Sequence, residues 1–230
     1  MESDVDWDMR IKQSMVGIAH GTRLIADWPF EPELQASPAG ARPHPRDILR
    51  SRGPAPSPFG DKWDLIWLGH CGSAADGDGR VYAFDDNSAP DHGHAWTYGP
   101  KLSDDQWQDG HRMVYHLQET VCTSAYAISN AGAHKFERAL RQANAPIDMK
   151  MWELCSEHSS LACVGVFPQV FSMTESRTNI KHGEGGFSFG REITEERVLA
   201  GKGIQVSSRV NAHLGLAEQG PDGWRWEWQP

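Results

Sequence analysis

Trp63-Asp64-Leu65-Ile66-Trp67-Leu68-Gly69-His70-Cys71-Gly72 joins a near-continuous apolar run of strand length to a turn flanked by two glycines. A run without polar alternation fits a strand buried on both faces, and the glycines permit a sharp backbone turn where it ends. Side chains carried into that turn stand at the rim of a sheet. His70 and Cys71 are therefore candidates for lining a pocket.

Elements of both kinds surround this strand. Upstream, Ile11, Met15, Ile18 and Ile25 recur at helical spacing within residues 9–28, which predicts a surface helix. Downstream, Val81-Tyr82-Ala83-Phe84 reads as a short strand, and residues 85–110 read as a polar loop with solvated histidines. Cys122-Thr123-Ser124-Ala125-Tyr126-Ala127-Ile128 supplies the next strand, Ser129 or Asn130 can cap a helix, and residues 133–143 form it, with Gly132 allowing close helix–strand approach. Pro146 and Asp148 open another helix through Met149, Trp152 and Leu154, and residues 161–167 are a strand ended by Pro168. Strands alternating with helices predict an α/β layered sheet.

Two stretches stand outside this alternation. Eight of the fourteen prolines fall in residues 29–60, a polar segment that suits an insertion and not a central strand. Beyond residue 172 the pattern weakens into glycine-rich turns at 183–190 and a short helical candidate at 192–199. Trp224-Arg225-Trp226-Glu227-Trp228 then suits an edge strand or a tail packed on the body. The organisation expected is a domain over 1–172 and a weakly patterned extension over 173–230.

A net charge of -9 with no basic run disfavours nucleic acid and anionic membrane surfaces as partners. No apolar stretch approaches the roughly 18 residues of a membrane span, and the acidic N-terminus lacks the features of a signal peptide. The chain as written is expected to be cytoplasmic. Cys71, Cys122, Cys155 and Cys163 show no CxxC spacing, so reduced, mostly buried thiols are expected.

At the start of the chain, Glu2-Ser3-Asp4-Val5-Asp6-Trp7-Asp8 places carboxylates one residue apart. Asp4 and Asp6 can jointly hold a hard divalent cation, Mn²⁺ or Mg²⁺, through oxygen ligands.

Taken together, this acidic stretch, WDLIWLGHCG at 63–72 and CTSAYAISNAGAHKF at 122–136 resemble glycosyltransferase family 25, the lipooligosaccharide and procollagen galactosyltransferases, especially its fungal branch. The likeness continues through Ala145-Pro146-Ile147-Asp148 and Val166-Phe167-Pro168-Gln169-Val170-Phe171, covering most of residues 1–172. It implies a GT-A-like, Rossmann-type mixed sheet flanked by helices, a UDP-sugar donor, a divalent metal and inversion at the anomeric carbon. Asp4 and Asp6 then become the metal and diphosphate ligands, with Glu2 beside them. Asp148, in the position of the family's Pro-Val-Asp motif, becomes the base for the acceptor hydroxyl, with Glu153 and Glu157 as fallbacks. Gly69, His70, Tyr126 and Ser129 are the further residues expected around the substrate.

The chain departs from the family in carrying Ser3 inside its acidic motif. It also has no first strand-helix-strand, nucleotide-binding half ahead of that motif, so the expected fold lacks that half. A secretory-pathway location follows if an N-terminal segment is missing. The donor sugar expected is a hexose, galactose by resemblance, and the acceptor is a glycan or protein. The alternative is a non-catalytic remnant or binding module on the same scaffold. A metal-dependent phosphoesterase is disfavoured because the Asp/His clusters of a two-metal site are missing.

Overall fold

The computed structural model describes residues 5–27, 57–75, 81–95, 107–141, 145–156, 161–173, 204, 205, 207 and 208. In chain order the elements are β1 (Val5–Trp7), α1 (Ile11–Asp27), β2 (Leu65–Gly69), β3 (Gly72–Ala75), β4 (Val81–Asp85), β5 (His111–Val121), β6 (Ala125–Ile128), α2 (Asn130–Leu140), α3 (Ile147–Ser156), β7 (Cys163–Phe167) and β8 (Phe171–Met173). Most of the proline-rich stretch at 29–60 and the segments at 183–190, 192–199 and 224–228 lie outside the described residues.

Every residue of β2 and of β7 is buried. The two run parallel, Leu65 opposite Cys163 and Trp67 opposite Gly165, while β6 flanks β2 antiparallel on its other side. The main sheet has the order β3-β5-β7-β2-β6, with β4 also paired to β5, and β1 and β8 form a separate two-stranded sheet. This is a mixed sheet in an α/β fold.

Alternation along β2 divides its side chains between two layers. Leu65 and Trp67 pack with Tyr115, Phe167, Phe136 of α2, and Met151 and Cys155 of α3. Ile66 and Leu68 pack with Val114, Val164 and Val166 against Ile18 and Ile25 of α1. Helices thus cover both faces, as an apolar run buried on two sides requires. On the α1 side the fit is close: a Cβ on Gly17 would lie 2.2 Å from the Phe84 ring, and one on Gly21 2.7 Å from Val114.

Asp64 pins the start of β2. Its carboxylate accepts from Lys135 Nζ at 2.7 Å and from the Ala162 N–H at 2.9 Å, and its carbonyl accepts from the Ser129 N–H at 3.0 Å. Ser129 caps α2, its Oγ accepting from the Gly132 N–H at 2.9 Å.

One feature corrects the sequence reading. All four cysteines are oxidised, as Cys71–Cys122 and Cys155–Cys163, where reduced thiols are expected from spacing alone. The first pair is 51 residues apart, and the antiparallel pairing of β5 with β3, which sets Val121 opposite Gly72, brings it together. Residues 85–110, expected to be a polar loop with solvated histidines, form turns where described beyond Asp85, the last residue of β4. His92 is exposed there, and it also bonds Asp109 and stacks on Trp107 with ring centroids 4.0 Å apart.

Gly132 gives the packing its sharpest test, since a Cβ there would lie 2.2 Å from the Asp64 carbonyl oxygen, a backbone atom that cannot swing aside. Gly132→Ala is expected to lower stability by about 1–3 kcal/mol through overpacking, outweighing the roughly 1 kcal/mol that alanine contributes to a helix. Urea unfolding measures it. A midpoint equal to or above wild type would contradict this packing.

Candidate functional site

Because β2 and β7 are parallel, their carboxyl ends open at the same end of the sheet, where open α/β sheets bind ligands. Three chain segments converge there. Beyond β7 the chain passes the cis Phe167–Pro168 bond, and the Val170 N–H donates to the Leu68 carbonyl at 2.8 Å. A Cβ on Gly69 would lie 2.9 Å from the Ala125 nitrogen and from both Cβ and the carbonyl oxygen of Phe171, so only glycine fits. Next, β8 pairs with β1, setting Trp7 opposite Phe171 and Asp6 opposite Ser172. Asp6 and Trp7 are thereby docked at the mouth of the sheet.

Asp6 is fully buried. Its Oδ1 accepts from the Trp7 N–H and from Ser208 Oγ, each at 2.8 Å. Asp8, two residues on, is held in a two-pronged ion pair with Arg10, Nε to Oδ1 and Nη2 to Oδ2 both at 2.8 Å. Asp4 and Glu2 lie outside the described residues. The Asp6 carboxylate is a hard oxygen donor and fits Mn²⁺ or Mg²⁺ held by one or two carboxylates together with substrate phosphates. Among the described residues, no group of three or more His, Cys, Asp or Glu side chains is placed to hold a metal ion.

Asp148 reaches the same mouth by another route. In the first turn of α3, its Oδ2 accepts from the Cys122 N–H at 3.1 Å and its Oδ1 from the Met149 N–H at 2.9 Å. Cys122 has a φ of 66°, uncommon for a residue with a side chain. It is fixed by its disulfide to Cys71, by the Trp67 Nε1–H donating to its carbonyl at 2.8 Å, and by Asp148. Of the fallback carboxylates, Glu153 pairs with Lys150 at 2.7 Å on the helix surface, and Glu157 lies outside the described residues.

His70 is buried, its Nε2–H donating to the Val166 carbonyl at 2.9 Å and its ring stacked on Phe167. That bond leaves Nδ1 as the acceptor nitrogen, and it has no hydrogen-bond partner. Burial lowers the His70 pKa to about 4; the Val166 carbonyl opposes this, and nearby Arg112 adds to it. Tyr126 stands on the edge strand β6, 40% exposed, its ring tilted against Trp67. Ser129 sits at the other end of the sheet, beside Asp64, and is not brought to the mouth.

Sequence reading missed several contributors. Ser124, next to the Ala125 that touches Gly69, and Ser172, opposite Asp6, are buried with hydroxyls lacking hydrogen-bond partners. Orphaned buried polar atoms are uncommon and mark places where a ligand or water completes the bonding. Arg112 and Asp86 were missed because charged letters read as surface. They form a buried ion pair, Nε to Oδ2 at 2.6 Å, and Arg112 Nη1 also donates to the Pro168 carbonyl. Burial alone would raise the Asp86 pKa, but Arg112 and the donors of Ser88 override it and hold it at about 2.

No family model, curated protein or solved structure matches this chain. No helix among the described residues is long and apolar enough to cross a membrane.

His70 makes stability depend on pH. As pH falls below 6.5 the unfolded chain takes up the imidazole proton, whereas the folded chain does not until about 4. Stability is therefore complete above that window, declines through it and levels beneath it, a loss on the order of 3 kcal/mol at 1.36 kcal/mol per pKa unit. Urea midpoints at about pH 7 and about pH 5 are expected to separate more for wild type than for His70→Gln. Equal separations would contradict a neutral buried imidazole.

Proposed function

We propose that this chain is a metal-dependent inverting glycosyltransferase domain that moves a hexose, galactose by resemblance, from a UDP-sugar to a glycan or protein hydroxyl. One observation carries the reading: the buried Asp6 carboxylate lies at the carboxyl end of the parallel pair β2/β7, the place where this class of sheet binds ligands. The order of the acidic stretch, WDLIWLGHCG and CTSAYAISNAGAHKF supports it. So do the orphaned polar atoms of His70, Ser124 and Ser172, which suit a polyhydroxylated ligand.

In this reading Asp6, with Asp4, would hold Mn²⁺ or Mg²⁺. When bound, the cation supplies charge neutralisation for the departing nucleotide. Asp148, fixed by two backbone N–H groups, accepts the proton of the acceptor hydroxyl as that oxygen attacks the anomeric carbon. Attack comes from the face opposite the leaving group, which inverts the centre. Gly69 keeps Ala125 and Phe171 close enough to wall the mouth. The two disulfides support an oxidising compartment, the secretory pathway, over the cytoplasm.

A binding module on the same scaffold is the second reading, favoured by the absence of a three-ligand metal group among the described residues. The two part on turnover. UDP release from UDP-galactose and other UDP-hexoses should require Mn²⁺ or Mg²⁺, disappear on chelation, return on adding metal back, and fall roughly 100-fold or more in Asp6→Asn. UDP binding without release would favour the module. Release that Asp6→Asn leaves intact would sink the assignment of Asp6.

A further inference from the structure

The stretch after residue 172, weakly patterned in sequence, returns to the acidic motif. Gln205 links the start of α1 to the turn after β4: its Oε1 accepts from Arg10 Nη2 at 2.9 Å and its Nε2 donates to the Ala89 carbonyl at 3.2 Å. Ser207, fully buried, forms an antiparallel bridge with Asp8. Ser208, 202 residues from Asp6 along the chain, donates its hydroxyl proton to Asp6 Oδ1 at 2.8 Å. Ile204, Ser207 and Ser208 are all buried, so this is a built contact and not a surface brush.

From this geometry we infer that Ser208 is a positioning residue for Asp6 and sets the cation affinity of the acidic site. The inference rests on the reading of Asp6 as a metal ligand given above. Its physical basis is the doubled donor: the Trp7 N–H and the Ser208 O–H meet on the same oxygen, both at 2.8 Å. The Ser208 hydroxyl, arriving from far along the chain, restrains the carboxylate more tightly than the N–H of the adjacent Trp7 does by itself. Small hard cations demand near-ideal oxygen geometry, so a carboxylate that can rotate binds them less well. Outer partners that orient a metal ligand typically contribute 10–100-fold in affinity.

Gln205 and the Ser207 bridge give Ser208 its placement. They tie its neighbourhood to Arg10, Asp8 and Ala89, so the hydroxyl is delivered by a short stretch anchored on either side of Asp8. The surroundings of Asp6 are thus assembled from segments 202 residues apart along the chain.

The test uses the full chain, with Mn²⁺ alone as probe, and follows the paramagnetic resonance signal of free Mn²⁺ during titration. Ser208→Thr keeps the hydroxyl and Ser208→Val keeps the threonine shape without it. Thr is expected to bind Mn²⁺ within about threefold of wild type and Val roughly 10–100-fold more weakly, with matching thermal midpoints. Equal affinities in all three proteins, or equal weakening in Thr and Val, would overturn the role of the hydroxyl while leaving Asp6 as a ligand. Absence of Mn²⁺ binding by wild type would instead overturn the metal reading of Asp6, and the inference with it. Should Val not fold, Ser208→Ala takes its place, with the same 10–100-fold loss expected and unchanged affinity contradicting it.

Discussion

Burying both faces of Leu65–Gly69 is the constraint from which the rest of the architecture follows. A strand with no side open to water needs a separate cover for each face, and α1 meets that need on one side while α2 and α3 meet it on the other. The covers must come close, which is why glycines stand where α1 faces Phe84 and Val114 and where α2 meets the Asp64 carbonyl. Lateral neighbours β6 and β7 satisfy the backbone of β2 along its length. Its carboxyl end is then the place where chain can gather around it, and β8, β1 and the Cys71–Cys122 link all do so.

A mouth assembled from several segments needs support from behind, and a buried polar network supplies it. Arg112 on β5 links Asp86 beyond β4 to the carbonyl of Pro168 between β7 and β8. Ser88 gives its one hydroxyl proton to Asp86 at 2.6 Å, so Ser14 of α1 must be the donor in the 2.9 Å contact between the two serines. Burying a guanidinium and a carboxylate carries a desolvation cost, and the geometry recovers it only while the pair is intact; losing one partner of such a pair typically costs about 3–5 kcal/mol. The network therefore fixes how α1, β5 and the β7–β8 turn sit relative to one another.

How much of this is legible in sequence depends on the range of the physics involved. Local signals succeed: the apolar run at 65–69, helical spacing at Ile11, Met15, Ile18 and Ile25, and the Ser129 cap all act within a few residues. The eleven-residue β5 is hidden because His111, Arg112, His116, Gln118 and Glu119 interrupt its apolar pattern, and the burial of Arg112 depends on Asp86, 26 residues away. Both disulfides and the β1–β8 pairing depend on topology. In the candidate site, Asp6, Gly69, His70 and Asp148 could be named from local motifs and are brought to one end of the sheet, whereas Ser129 proves to stand at the other. Ser124, Ser172 and Ser208 carry no sequence signal at all, since a serine gains meaning only from what it faces.

Whether Asp6 holds a cation against a nucleotide diphosphate is best decided by locating the cation directly. Crystals of the chain soaked with Mn²⁺ and UDP, measured at the manganese absorption edge, should give an anomalous peak about 2 Å from an Asp6 carboxylate oxygen, bridging to the diphosphate. Bound UDP with no manganese at Asp6, or manganese held only elsewhere on the protein, would contradict it.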